Sequence, residues 1–392
     1  MRLVFAIPYF HSAWQYGGTP RAAFDLARGL VRRGHVVKVL TTDSAGSSRI
    51  PSSQQAQGAM NVDGIDVVYY RNLSNYLAFR HRLFLPLALF QDIGRQLSGC
   101  DIVHIHELRN TVAVAAYGAV HKVGLPFVLS PHGGLQWLGK HGAKLVFDKL
   151  WGQSILKHAT RLIAVSPLEE KDARMFDVKP EQIRLLPNTV FPDDYSNLPA
   201  AGEFRQRWNI REDKIVLFLG RLHWVKGADL LIRALAQSHA SFSNVHLVIA
   251  GPDDTQEREL RRMLAGTPLQ KRTTFTGFLN HKAKLQALVD ASVVAIPSRS
   301  EVFAITALEA VMCGTPVILS SACGIFPAPG TDSGVWRFEN ENVADLACRL
   351  HAILNMSSGK SLAGREFVIR EFSPARVAER AEYIYEEAIQ RG

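Results

Sequence analysis

The chain has 392 residues, 47% of them hydrophobic and 21% charged, with a formal net charge of +9 at pH 7. Its length predicts two domains, and the lack of any apolar run of about 18 residues excludes a membrane-spanning helix. The charge is uneven: residues 1–190 hold 22 Lys+Arg against 13 Asp+Glu, whereas residues 191–392 hold 23 of each. An excess confined to the first half points to an acidic partner there, such as an anionic membrane surface, a phosphorylated acceptor or a nucleic acid. Cys100, Cys313, Cys323 and Cys348 show no C-x-x-C or metal spacing and read as buried thiols of a cytosolic protein.

Leu3–Ile7 reads as a first buried strand rather than a signal peptide, because no long apolar core and cleavage site follow. Val36–Leu40, Ile65–Tyr70, Ile102–Ile105, Phe127–Leu129 and Leu162–Val165 are similar short apolar runs. Amphipathic stretches lie among them at Arg21–Arg33, Thr111–Lys122 and Lys144–Lys157, and a polar loop spans Ser44–Gln57. Pro187–Ala201 is crowded with Pro, Asn and Asp and reads as a linker. The pattern then resumes with strands at Ile215–Leu219, Val245–Ile249, Thr273–Phe275, Val293–Ile296, Val317–Leu319 and Val335–Phe338. A final helix from about Pro374 to Gln390 puts Val377, Ala381, Ile384, Tyr385 and Ala388 on one stripe. Alternating strands and helices predict an α/β chain of two doubly wound domains with parallel sheets. The expected boundaries are 1–190, 200–373 and a C-terminal helix, 374–392, that crosses back to the first domain.

Ligands of such sheets bind at the carboxyl ends of strands, so the loops there carry the chemistry. Gly17-Gly18-Thr19-Pro20 follows the first strand; it allows close backbone approach but also fits a plain turn. Ser130-Pro131-His132-Gly133-Gly134 places a histidine directly after a strand. Gly220 to Gly227 sets Arg221 and Lys226 five apart at a helix start, where cations oppose the dipole unless an anion binds. Ser298 to Pro316 runs from a strand through a loop into a helix that stops at Gly314, with Glu301 in the loop and Glu309 in the helix. The first-turn amides near Phe303, Ala304 and Ile305 suit a phosphate.

In order and spacing these segments resemble the family-4 glycosyltransferases (GT4) over nearly the whole chain. The resemblance includes Gly17-Gly18, Asp101 to His106, His132-Gly133, Ala164-Val165-Ser166, Leu186-Pro187-Asn188 and Gly220-Arg221 with Lys226-Gly227. It continues through Gly277-Phe278, Pro297-Ser298, Glu301 with Glu309, and Cys313 to Ile318. It implies the GT-B architecture: two Rossmann-like domains facing each other across a cleft. It implies a retaining hexosyltransferase (EC 2.4 type) that uses a nucleotide-diphosphate sugar, UDP- or GDP-linked, with no required cofactor. No metal site is expected, and no D-x-D pair occurs. Position by position, Arg221 and Lys226 would hold the diphosphate, Glu309 the ribose, and the backbone at Gly277 and Phe278 the base. Glu301 and His132 would form the catalytic pair near the anomeric carbon. Gly17 and Gly18 would lie near the diphosphate or the acceptor. Two departures bear on the sugar: Val302-Phe303-Ala304-Ile305 replaces the family's Gly-Phe-Gly-Leu, and Pro187-Asn188-Thr189 replaces Pro-Asn-Gly.

The expected chemistry is same-face attack by the acceptor hydroxyl, with the leaving phosphate taking its proton. Tyr76–Leu97 mixes Phe79, Leu83, Phe84 and Phe90 with Arg80, Arg82 and Arg95, which suits a membrane interface as well as a packed helix; Pro86 starts or kinks it. The expected acceptor is a glycan or a lipid-linked glycan of polysaccharide biosynthesis. The expected location is cytoplasmic, peripheral on the inner face of the membrane. No helix-turn-helix, zinc-finger or RNP-like signature supports nucleic acid. The alternatives are a GT-B-fold nucleotide-sugar epimerase and a non-catalytic nucleotide-sugar-binding protein.

Overall fold

A computed structural model describes residues 1–46, 48–50, 60–136, 141–237, 241–324, 334–356 and 362–391. The chain divides into two compact units, Met1–Thr189 with Pro374–Gly392, and Val190–Ser373.

Among the described residues the first unit is built on ten strands: β1 (Arg2–Ala6), β2 (Val36–Thr42), β3 (Ser44–Ala45), β4 (Ser48–Arg49), β5 (Met60–Val62), β6 (Ile65–Tyr70), β7 (Ile102–His106), β8 (Phe127–Ser130), β9 (Arg161–Ala164) and β10 (Ile183–Leu185). Eight form one sheet in the order β10-β9-β8-β7-β1-β2-β6-β5, and β3 pairs with β4 alone. Both faces of β1 are buried, as a covered parallel strand requires. Leu3 and Phe5 pack with the helix Gly18–Arg32 and the C-terminal helix Pro374–Arg391. Val4 and Ala6 face the opposite layer, which includes the helices Leu87–Gln96 and Thr111–Val123.

Two expectations are corrected here, and a third, that Pro86 starts or kinks a helix, is made specific. The sheet is not wholly parallel: β5 runs antiparallel to β6. The Asp63-Gly64 turn has φ of 52° and 84°, the geometry of a tight hairpin, so the strand can fold straight back. Tyr76–Leu97 is two helices, Asn75–His81 and Leu87–Gln96, with Pro86 as N-cap of the second. Phe84 and Leu89 belong to the core, while Leu83, Leu87 and Phe90 are exposed. Cys348 is exposed rather than buried. Of the polar loop Ser44–Gln57, residue 47 and residues 51–57 lie outside the described residues.

The second unit carries β11 (Lys214–Leu219), β12 (Val245–Ala250), β13 (Thr273–Gly277), β14 (Val293–Ile296), β15 (Val317–Ser320) and β16 (Val335–Phe338). Its sheet is parallel in the order β13-β12-β11-β14-β15-β16. The chain moves outward from β11 one way and from β14 the other. The crevice at the carboxyl ends of those two strands is therefore the topological switch point of a Rossmann-like sheet. Within the Pro187–Ala201 span, Val190, Phe191 and Tyr195 are buried, so much of it is packed chain rather than free linker.

Candidate active site

The second unit brings its chemical residues to that switch point. Gly227 has φ of 71°, and a Cβ there would stand 2.0 Å from the Pro297 carbonyl oxygen. The loops after β11 and β14 therefore touch backbone to backbone, which only glycine allows. Arg299 locks them further. Its amide donates to the Val225 carbonyl at 2.7 Å, and its guanidinium donates to the Trp224 carbonyl at 2.6 Å. The same guanidinium grips Asp229 in bidentate fashion at 2.8 and 2.7 Å.

Across this junction Lys226 is ion-paired with Glu301, so residues 75 apart in sequence share one contact. Arg221 is ion-paired with Asp254, from the loop after β12. Glu309 is buried in the helix Ile305–Met312 and meets the Lys284 ammonium at 2.5 Å. Each cation and each glutamate singled out in the sequence thus has an opposite charge beside it. Gly277 ends β13 with φ of 66°, and Phe278 beside it is exposed.

The expected anion site is displaced. The helix opens at Ile305 with Ala304 as N-cap, so Phe303 and Ala304 belong to the entry turn rather than the first helical turn. Phe303 is buried edge-on to Phe372, and its carbonyl accepts the Ile305 N–H at 3.1 Å. That apolar anchor pulls the turn inward. Ala304 has φ of −85°, a conformation open to any residue, so losing the family's glycine there strains nothing.

In the first unit, His132 follows β8 and has φ of 50°, uncommon for a residue with a side chain. It is not an exposed loop histidine. Its Nε2 is 2.9 Å from His106 Nδ1, so one imidazole N–H donates to the other ring. His104 stacks on His106 at 3.9 Å between ring centroids and bonds Ser130 Oγ and Tyr385 Oη, both at 2.8 Å. Burial pushes His132 down to about 4 and takes His104 and His106 well below the ordinary histidine range. All three are neutral at pH 7. His106 Nε2 is buried without a hydrogen-bond partner among the described residues.

The loop carrying His132 is held from several elements. Glu169, fully buried, accepts the Gly133 N–H at 2.5 Å and the Val165 N–H at 2.9 Å. Burial raises its carboxyl to about 7. Arg109 donates to the Gly134 carbonyl, and Lys144 donates to the Gln136 carbonyl at 2.9 Å. Asn188 and Thr189, from the departed Pro-Asn-Gly segment, line one pocket with His106 and His132. Gly17, with φ of 108°, caps the short turn Trp14–Tyr16 and precedes the helix that Gly18 opens. Beside it Tyr9 stacks on Tyr16 at 4.2 Å and bonds Glu107, which stands at φ of 64° after β7. The β1 and β7 loops meet there, at the switch point of the first sheet.

Sequence reasoning missed Asp254, Lys284, Arg299, Glu107 and Glu169, and gave His106 no role beyond its place in the Asp101–His106 strand. Only Glu169 had a local signal: Ser166 and Glu169 form a capping-box spacing, and Ser166 Oγ accepts the Glu169 N–H. The others gain meaning from neighbours distant in sequence.

Two largely parallel sheets, each with polar and charged residues at the carboxyl ends of its strands, give two Rossmann-like domains of the GT-B class. Comparison with known proteins identifies the family. Residues 16–194 match the model described as Glycosyltransferase Family 4, and residues 201–363 match Glycosyl transferases group 1. The chain belongs to the family-4 glycosyltransferases. It is 29% identical over 345 residues to an uncharacterized glycosyltransferase of Methanocaldococcus jannaschii, covering 82% of this chain and 83% of that one. It is 24% identical to the GPI3 subunit of the phosphatidylinositol N-acetylglucosaminyltransferase of Saccharomyces cerevisiae, over 95% of this chain and 80% of that one. In fold it matches the Anabaena protein HepE, solved with UDP and glucose, at a TM-score of 0.75 and 18% identity over 98% and 99% of the two chains. Among the described residues no helix is long and apolar enough to cross a membrane.

Proposed function

We propose that this enzyme moves a hexosyl group from a nucleoside diphosphate sugar to a hydroxyl of a glycan or lipid-linked glycan, with retention at the anomeric carbon. The observation that carries this reading is the Lys226–Glu301 contact at the β11/β14 switch point, with Arg221 beside the neighbouring strand. A diphosphate would take these cations over from the carboxylates, exchanging one anion for another at little desolvation cost. Glu309, in the helix behind the loop, would accept the ribose hydroxyls, and Gly277 and Phe278 would cover the base.

As the bond from C1 to the diphosphate breaks, negative charge grows on the leaving oxygen. Arg221, Lys226 and the backbone of the Ala304 turn would meet that charge already in position. Each such donor contributes about 10²–10³ in rate. No metal is assigned a step. The acceptor hydroxyl would attack the same face, and its proton would pass to the departing phosphate. Glu301 and His132 would line the sugar; a neutral His132 can donate or accept a hydrogen bond to a sugar hydroxyl without adding charge. Val302 in place of glycine would narrow the room beside the sugar and so select among hexoses. We place the enzyme at the cytoplasmic face of a membrane, where a lipid-linked acceptor is presented; the yeast relative's name specifies a phosphatidylinositol acceptor.

A thermal-shift panel of UDP, GDP, ADP and their sugar conjugates tests the reading. Saturation at about 100 Kd adds about 2.7 kcal/mol of stability. The expected result is a shift with one nucleotide family, unchanged by EDTA and lost in Arg221→Ala. A flat response from folded protein would overturn it.

A further inference from the structure

The segment from His141 to His158, in the first unit, is an α-helix, a π-turn at Asp148–Gly152 and a second α-helix. Its amphipathicity is inverted. A charge lies inside: Asp148 is buried and gripped by Arg109 at 2.9 and 2.7 Å. Gly152 makes room for it, since a Cβ there would stand 2.7 Å from Asp148 Oδ1. Four large apolar side chains lie outside. Leu145 is 56% exposed, Val146 61%, Leu150 57% and Trp151 41%. The ion pair and the buried Ile155 and Leu156 fix which side faces the core, so these four cannot turn inward.

A cluster of this kind on a folded surface marks an interaction site. Its charge says what kind. Lys149 and Lys157 are exposed on the same segment. The helices Leu87–Gln96 and Thr111–Val123 pack into the same hydrophobic layer as Ile155 and Leu156. These two helices and the His141–His158 segment together carry five Lys+Arg against two Asp+Glu. The two acids are taken: Asp148 by Arg109, and Asp92 by Arg95 and the Tyr70 hydroxyl. Leu87, Phe90 and Val123, on those two helices, are exposed as well. A second copy of the chain on this face would set like charges together. An anionic lipid surface satisfies both the cations and the apolar side chains, with Trp151 suited to the headgroup level.

We propose that the Leu145–Trp151 face is the membrane-docking surface of this enzyme, inserting into an anionic lipid leaflet with Lys149 and Lys157 on the headgroups. The inference rests on the lipid-linked acceptor reading above and names its partner surface. Docking would hold the segment that leads from the His132 loop at the membrane, where such an acceptor is found.

Vesicle co-sedimentation of the full chain tests it, with phosphatidylcholine alone and with phosphatidylglycerol mixed in. The expected result is binding to the anionic vesicles only, weakened by salt. The paired substitution Leu150→Ser with Trp151→Ser should lower partition about tenfold or more, and Lys149→Glu should lower it several-fold. Circular dichroism and the nucleotide thermal shift of each variant, read without vesicles, should match the parent. Failure to bind anionic vesicles, equal binding by the Ser variant, or a parent dimer that the Ser variant dissolves would each overturn the proposal. The nucleotide shift keeps its failure distinct from failure of the transferase reading.

Discussion

The two units hold their candidate site residues by opposite means. In the second, the charged groups named above are matched by charges: Lys226 by Glu301, Arg221 by Asp254, Lys284 by Glu309 and Arg299 by Asp229. In the first, the His104–His106–His132 ladder is kept neutral by burial, and its loop is hung on a buried glutamate. In the proposed reaction the charge-matched set would exchange its carboxylates for the anion of the donor. The neutral ladder can offer hydrogen bonds without attracting one. The contrast follows from what surrounds each set: loop ends at a sheet crevice in one case, strand interiors and a clamped turn in the other.

The comparison breaks most sharply in the second unit. Arg221→Ala or Lys226→Ala should each cut kcat for transfer by about 10²–10³, measured with the donor that stabilises the parent. If both leave kcat unchanged, the paired cations are structural only. In the first unit, His132→Ala should lower transfer by about 10²-fold while the nucleotide thermal shift stays at the parent value. A lost shift would instead place the ladder in donor binding.

Stability gives the next contrast. Glu169→Ala leaves the Gly133 and Val165 amides without their acceptor and should cost about 1–3 kcal/mol in urea unfolding. An unaltered midpoint would show that Arg109 and Lys144 suffice to hold the loop. The remaining contrast is in pH. His132 titrates near 4 folded and 6.5 unfolded, so acid favours the unfolded chain between those values, and His104 and His106 act in the same sense. Glu169, raised from 4.5 to about 7, acts oppositely, adding stability below 4.5 that is lost as pH rises through 7. Three histidines against one glutamate predict a net fall on acidification from 6.5 toward 4, with His132 contributing about 2–3 kcal/mol. His132→Asn should flatten the slope in a pH series of thermal melts. Glu387 adds a separate loss below 4.5: hydrogen bonds from Arg161 and then Arg184 hold it down to about 2.

Much of this protein could be read from its sequence. Short apolar runs alternating with amphipathic stretches specify covered parallel strands, because burial on both faces requires such runs. The strand-end loops with Arg221, Lys226, Glu301, Glu309 and His132 were visible for the same reason, and with them the glycosyltransferase family. The tertiary structure decided the pairings. That Lys226 meets Glu301, that Lys284 covers Glu309 and that Glu169 holds Gly133 depend on strands brought together from far apart in the chain. It also decided which apolar residues face out. Phe84 and Leu150 could not be told apart by pattern, since each is a large apolar residue in a basic, amphipathic stretch. Phe84 and Leu89 fill a core, whereas Leu150 and Trp151 are turned outward by the buried Arg109–Asp148 pair, a contact across 39 residues that no local periodicity encodes.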